Sequence, residues 1–160
     1  MVHVLIRPRS GDFVYGGDEV EIMAKDVAVA KEFGVDGIVT GALTSDGDVD
    51  AVRMAELIAI ASPLRVGFHR AFDRVRDQDE ALELLVSLQV DPILTSGGAA
   101  TAMAGAERLA ALVERAGDRI GIIAGGSITA ANAPELVART RVRTVHGRAF
   151  QGVPEAVARL

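Results

Sequence analysis

Six short apolar runs, spaced at nearly regular intervals through 160 residues, constrain this chain more than any other feature. They occupy residues 2–6, 37–43, 64–68, 92–94, 120–124 and 142–145. Each is rich in Val, Ile or Leu and bounded by Gly, Pro or polar residues, which favours strand over helix. Their starts lie 35, 27, 28, 28 and 22 residues apart, near the ~30 residues of one strand with its crossover helix. The stretches between them carry helix signals. Asp18 with Glu21, and Asp77 with Glu80, read as capping boxes. Val20, Met23, Val27, Ala30 and Phe33 recur at helical spacing before Gly34, and Met54, Leu57, Ile58 and Ala61 before Pro63. Leu82, Leu85 and Leu88 make a third stripe, and Leu109, Leu112, Val113 and Ala116 a fourth. Thr129 or Asn132 can cap a fifth helix, which tolerates Pro134 in its first turn. Residues 154–160 read as a short last helix.

Strand–helix alternation without hairpin signals predicts parallel strands joined by right-handed crossovers. An open doubly wound sheet and part of a closed barrel both satisfy that pattern. The open sheet would carry a glycine fingerprint after the first strand, and none is present. A barrel would end every strand in polar residues facing one mouth. The strand ends supply Arg7 and Arg9, Thr40, His69 and Arg70, Thr95 and Ser96, Gly125 and Gly126, then His146 and Arg148. The expectation is therefore an α/β chain, an incomplete TIM (β/α) barrel of six parallel βα units, forming one partial-barrel domain over residues 1–160. Six strands leave edges at residues 2–6 and 142–145, from which self-association or marginal stability is expected.

Composition narrows the partners. A net charge of −5 without a basic block disfavours nucleic acid. No apolar run approaches the ~18 residues of a membrane span, and the N-terminus lacks a charged region ahead of an apolar one. Zero cysteine excludes disulfides and thiol catalysis in this chain. A cytoplasmic protein with neither membrane nor nucleic-acid partner is the expectation.

The strand ends also hold the candidate chemistry. Arg7 and Arg9 flank Pro8 ahead of Asp12; two arginines on one face could clamp a carboxylate or phosphate through forked hydrogen bonds. Equally, either could pair structurally with Asp12. His69, with Arg70 and Asp73 close behind, is the candidate catalytic group, acting as general acid–base or metal ligand with a carboxylate to fix its tautomer. An Arg70–Asp73 pair that merely holds a turn is the other reading. Thr95 and Ser96 could donate to a ligand or begin the turn into Gly97 and Gly98. Gly125, Gly126, Gly147 and Arg148 fall where many barrels bind phosphate, although the glycines could serve only tight turns. His3 lies within the first strand and reads as a core histidine.

The segments IRPRSGDFVY (6–15), DGIVTGALTSDGDVD (36–50), GFHRAFD (67–73), ILTSGG (93–98) and IIAGGSI (122–128) together resemble the copper-homeostasis family CutC. The first and third are specific, whereas IIAGGSI recurs in many barrels. The resemblance implies an eight-stranded family barrel, of which this chain carries the last six units, and a copper ion as the candidate cofactor or cargo. The family's two earlier units would hold the cysteines and an acidic residue on which copper proposals partly rest, and the terminal VHGRAF (145–150) departs from the family's usual small residues after the histidine. The chain's own residues lean another way. Cuprous copper prefers thiolate and thioether ligands, yet Met1 is terminal, Met23 and Met54 sit on helix stripes, and Met103 begins a helix. His69 and His146, with Asp73, could serve cupric copper. The alternative is an enzyme acting on a small anionic or phosphorylated substrate through His69, Asp73 and the arginine and glycine sites.

Overall fold

The computed structural model describes residues 1–147 and divides the chain into two compact units, Met1–Asp91 and Pro92–Leu160. Arg148 and the expected helix at 154–160 lie outside the described residues.

The first unit runs β1 (His3–Leu5), α1 (Gly17–Glu32), β2 (Gly37–Thr40), α2 (Ala51–Ala61), β3 (Arg65–Phe68), a 3-10 turn (Arg70–Arg74) and α3 (Gln78–Ser87). Its strands pair in parallel, β1 with β2 and β2 with β3, with Val4 opposite Ile38 and Ile38 opposite Val66. Ile38 and Phe68 are wholly buried, as the short apolar runs require of parallel strands covered on both faces. The second strand is shorter than expected. After Thr40 the chain leaves the sheet; Leu43 forms an antiparallel bridge with Val49, and its N–H donates to the Phe13 carbonyl at 2.9 Å.

The N-cap of helix α1, Gly16, lies two residues before the expected cap. Glu19, not Glu21, reaches back to its N-cap, accepting the Gly16 N–H at 2.8 Å. Val20, Met23, Val27 and Ala30 form the buried stripe, but Phe33 is the C-cap and stands 82% exposed, because the helix has already closed at Glu32. Asp50 caps α2 by accepting the Arg53 N–H at 3.0 Å, and Ser62 ends it ahead of Pro63. Asp77 caps α3 as expected, its carboxylate accepting the Asp79 and Glu80 N–H groups. Leu82 and Leu85 are fully buried, each stabilising the unit by ~1.5–3 kcal/mol relative to exposure.

The second unit runs β4 (Ile93–Thr95), α4 (Ala106–Ala116), β5 (Ile122–Gly125), α5 (Ala133–Thr140) and β6 (Thr144–His146). Its strands are also parallel, with Leu94 opposite Ile123 and Ala124 opposite Val145. Ala106, Leu109, Leu112 and Ala116 make the buried stripe of α4. Met103 precedes that helix rather than beginning it. Asn132 is the N-cap of α5, yet its side chain turns backward, accepting the Thr129 N–H and donating to the Ser127 carbonyl. Six parallel strands alternating with helices make this an α/β fold of the partial TIM (β/α) barrel type.

Candidate functional site

The two arginines after β1 have different surroundings. Arg9 is ion-paired with both Asp12 (2.8 Å) and Glu19, and its guanidinium also donates to the Asp12 and Val14 carbonyls at 3.2 and 2.8 Å. It lies 5.3 Å from the Tyr15 ring centroid. These contacts close the 9–19 loop around one side chain. The Arg9 guanidinium, hydrogen-bonded to each, holds the Asp12 and Glu19 carboxyls below their ordinary values, and Glu19 and Asp12 together raise Arg9.

Arg7 has no carboxylate partner among the described residues. One Nη donates to the Gly11 carbonyl at 3.0 Å, and the guanidinium carbon stands 4.6 Å over the Phe13 ring. Its Nε is buried without a hydrogen-bond partner. A guanidinium left uncompensated in a half-buried setting forgoes the charge-assisted bonds that normally offset its desolvation.

His69 follows β3 and is only 5% exposed. Its backbone N–H donates to the Thr40 carbonyl at 2.9 Å, which continues the strand pairing by one residue. The imidazole packs against Phe13 (ring centroids 5.0 Å apart) and Phe68 (5.9 Å). Its Nδ1 accepts the Ala71 N–H at 3.2 Å, while Nε2 is buried without a partner. A neutral imidazole that accepts at one nitrogen carries its proton on the other, so Nε2 is a donor. Burial, reinforced by the Arg7 charge, lowers the His69 pKa to about 4. The ring is thus oriented by the backbone of Ala71, and Asp73 instead receives the Arg70 Nε–H at 2.7 Å.

Gly41 is what lets the ring sit there. A Cβ at this position would lie 2.7 Å from both Cε1 and Nδ1 of His69. Tyr15 completes the cluster. It is 8% exposed, its hydroxyl lies close to Arg7 but outside hydrogen-bonding geometry, and burial raises its pKa while Arg7 partly offsets the rise.

In the second unit the candidate residues act largely on their own backbone. Thr95, the last residue of β4, accepts the Gly97 N–H at 2.9 Å, and Ser96 after it donates to the Ala99 carbonyl at 2.6 Å, both residues being wholly buried. Gly125 faces Leu94, whose Cδ1 would lie 2.7 Å from a Cβ there. Gly126 has φ +118°, which disfavours any side chain, and its carbonyl accepts the Ala102 N–H at 3.0 Å. Gly147 lies near the Ile128 carbonyl. His146 ends β6 and is exposed. His3 packs against Gly37, with its Nε2 buried and unpartnered.

The sequence singles out Arg7 and His69 as candidates, but not Phe13, Tyr15 and Gly41, which lie around them. Two aromatics inside an otherwise polar strand-end loop were the available signal. Among the described residues no three His, Asp or Glu side chains are grouped to hold a metal ion, and no helix is long and apolar enough to cross a membrane.

The CutC family model matches residues 1–151. A CutC family protein of Mesorhizobium japonicum is 44% identical over 155 residues, 97% of this chain and 60% of the relative. One from Xanthomonas campestris pv. campestris is 46% identical over 148 residues, 92% of this chain and 62% of the relative. The chain therefore spans about three-fifths of the length of the curated relatives it matches. Among solved structures, a protein from Streptococcus agalactiae that is named as a copper homeostasis protein CutC is similar with a TM-score of 0.88 and 36% identity, covering 91% of this chain and 71% of that one. The chain belongs to the CutC family.

Proposed function

We propose that this chain acts in copper homeostasis in the cytoplasm. The observation that carries the reading is the family match over residues 1–151, supported by the likeness to the streptococcal protein named for that role. Copper enters as cargo. Imidazole suits cupric copper, and the ring open to it is that of His146, exposed at the end of β6. His69 would first have to release the Ala71 N–H or lose its Nε2 proton, because the nitrogen facing away from the backbone is the protonated one.

The test is complementation. In a host lacking its own homologue, expression of the chain should restore growth on graded copper and return cell-associated copper to the parental level. Unchanged tolerance and unchanged copper content would overturn the proposal. Equilibrium dialysis of the purified chain against cupric ion, with a His146→Ala comparison, separately tests cargo contact at that ring; equal uptake by both chains would remove His146 from the reading.

A further inference from the structure

We propose that Arg7, Tyr15 and His69 form a binding site for a small oxyanion, a carboxylate or phosphate group, at the strand ends of the first unit. This goes beyond the copper reading and does not depend on it.

Arg7 stands over Phe13, which packs on His69, and its charge acts on both Tyr15 and His69; Arg7 Nε, the Tyr15 hydroxyl and His69 Nε2 are each buried without a hydrogen-bond partner among the described residues. Buried polar atoms are ordinarily paired, and each left open is destabilising. Three open atoms in one cluster therefore point to a ligand. They share a polarity as well. Arg7 Nε and His69 Nε2 carry protons, the second because Nδ1 already accepts the Ala71 N–H, and a tyrosine hydroxyl can donate. Oxygen acceptors answer all three.

The charge balance selects an anion over a cation. Of the carboxylates within residues 9–19, Asp12 and Glu19 are held by Arg9, and Asp18 is exposed in the first turn of α1 without an ion pair to Arg7. That leaves the Arg7 charge uncompensated against Phe13, whose ring, like that of Phe68, packs on the neutral His69 imidazole. A metal ion brought here would meet a guanidinium and an N–H. An oxyanion would meet complementary groups in a setting where aromatic walls weaken solvent screening. Arg7, the more exposed member of the three, provides the approach from solvent.

The experiment is a titration of the full chain with inorganic phosphate, and separately with acetate, at constant ionic strength in chloride, followed by the nitrogen resonances of the His69 ring. A saturable movement of the Nε2 signal with either anion is expected, and which anion saturates at lower concentration identifies the group. Arg7→Met should weaken the binding by roughly tenfold or more, equivalent to ~1.4 kcal/mol. Tyr15→Phe, which keeps the ring and removes only the hydroxyl, should weaken it severalfold and decides the matter if Arg7→Met fails to fold. Arg65→Met, which removes a cation paired with Asp91 at the opposite end of β3, should leave the affinity within twofold, roughly the precision of such a measurement. The proposal is overturned if neither anion saturates, if Tyr15→Phe binds like the parent, or if cuprous ion moves the ring while both anions do not. Such a failure would leave the complementation test of copper homeostasis untouched.

Discussion

Acid should unfold this chain through His69 before its carboxylates are reached. Folding keeps the imidazole neutral down to about pH 4, whereas the unfolded chain protonates it near the ordinary 6.5. Because the unfolded state takes up the proton first, stability is full above about pH 6.5 and falls as pH drops toward about 4. At ~1.4 kcal/mol per pH unit of difference between the two states, the fall from pH 7 to pH 5 amounts to about 2 kcal/mol. In a chain of this size that lowers the melting temperature by roughly 4–8 °C. Asp12 and Glu19 titrate below their ordinary 3.8 and 4.5, so their stabilisation is lost at more acid pH and leaves this window to the histidine. Urea unfolding at several pH values should show the slope in the parent. His69→Asn should abolish it, since an asparagine oxygen can still accept the Ala71 N–H but does not titrate. A parent whose stability is flat between pH 5 and 7, or an Asn variant with the same slope, would refute the burial argument.

Other substitutions test the packing around the site. Gly41→Ala places a methyl against the His69 ring and should destabilise by ~1–3 kcal/mol; combined with His69→Ala, most of that penalty should disappear in a double-mutant cycle. Gly105→Ala would put its Cβ 1.9 Å from the Ser96 carbonyl oxygen, and a backbone atom cannot swing aside. Its cost should reach or exceed the upper end of that range, seen as lost hydrogen-exchange protection around β4 and α4. Arg9→Ala removes the side chain that ties Asp12, Val14 and Glu19 together, so limited proteolysis within residues 10–16 should accelerate while the circular dichroism spectrum is retained. Phe72→Ala, at a fully buried position in the turn after β3, should destabilise by ~3–5 kcal/mol in thermal or urea unfolding.

The strands were legible because a parallel strand covered on both faces must be a short apolar run, and nothing else in this chain looks like one. Their ends were less so. The run at 37–43 was read through to Leu43, but the sheet stops at Thr40 because Leu43 finds an antiparallel partner in Val49, a contact that apolar patterning does not encode. The start of α1 was displaced for a similar reason: Asp18 and Glu21 have capping-box spacing, yet the Glu19 carboxylate is the one that reaches the Gly16 N–H.

At the candidate site, residue types at strand ends pointed to Arg7, Arg9 and His69. What separates the two arginines is Glu19, ten residues on and carried in by α1. The state of His69 depends on a backbone N–H two residues later and on a glycine from another strand end. Composition and spacing carry no record of either. The pairing of Arg70 with Asp73, by contrast, is a local three-residue relation and was visible as one of the two readings of that motif.

The state of the His69 ring is the point on which the site account turns, and a long-range proton–nitrogen correlation spectrum at pH 6 reads it directly. The account predicts a neutral ring with its proton on Nε2 and an unprotonated Nδ1, unchanged when copper is added. A ring doubly protonated at that pH, or one carrying its proton on Nδ1, would contradict it.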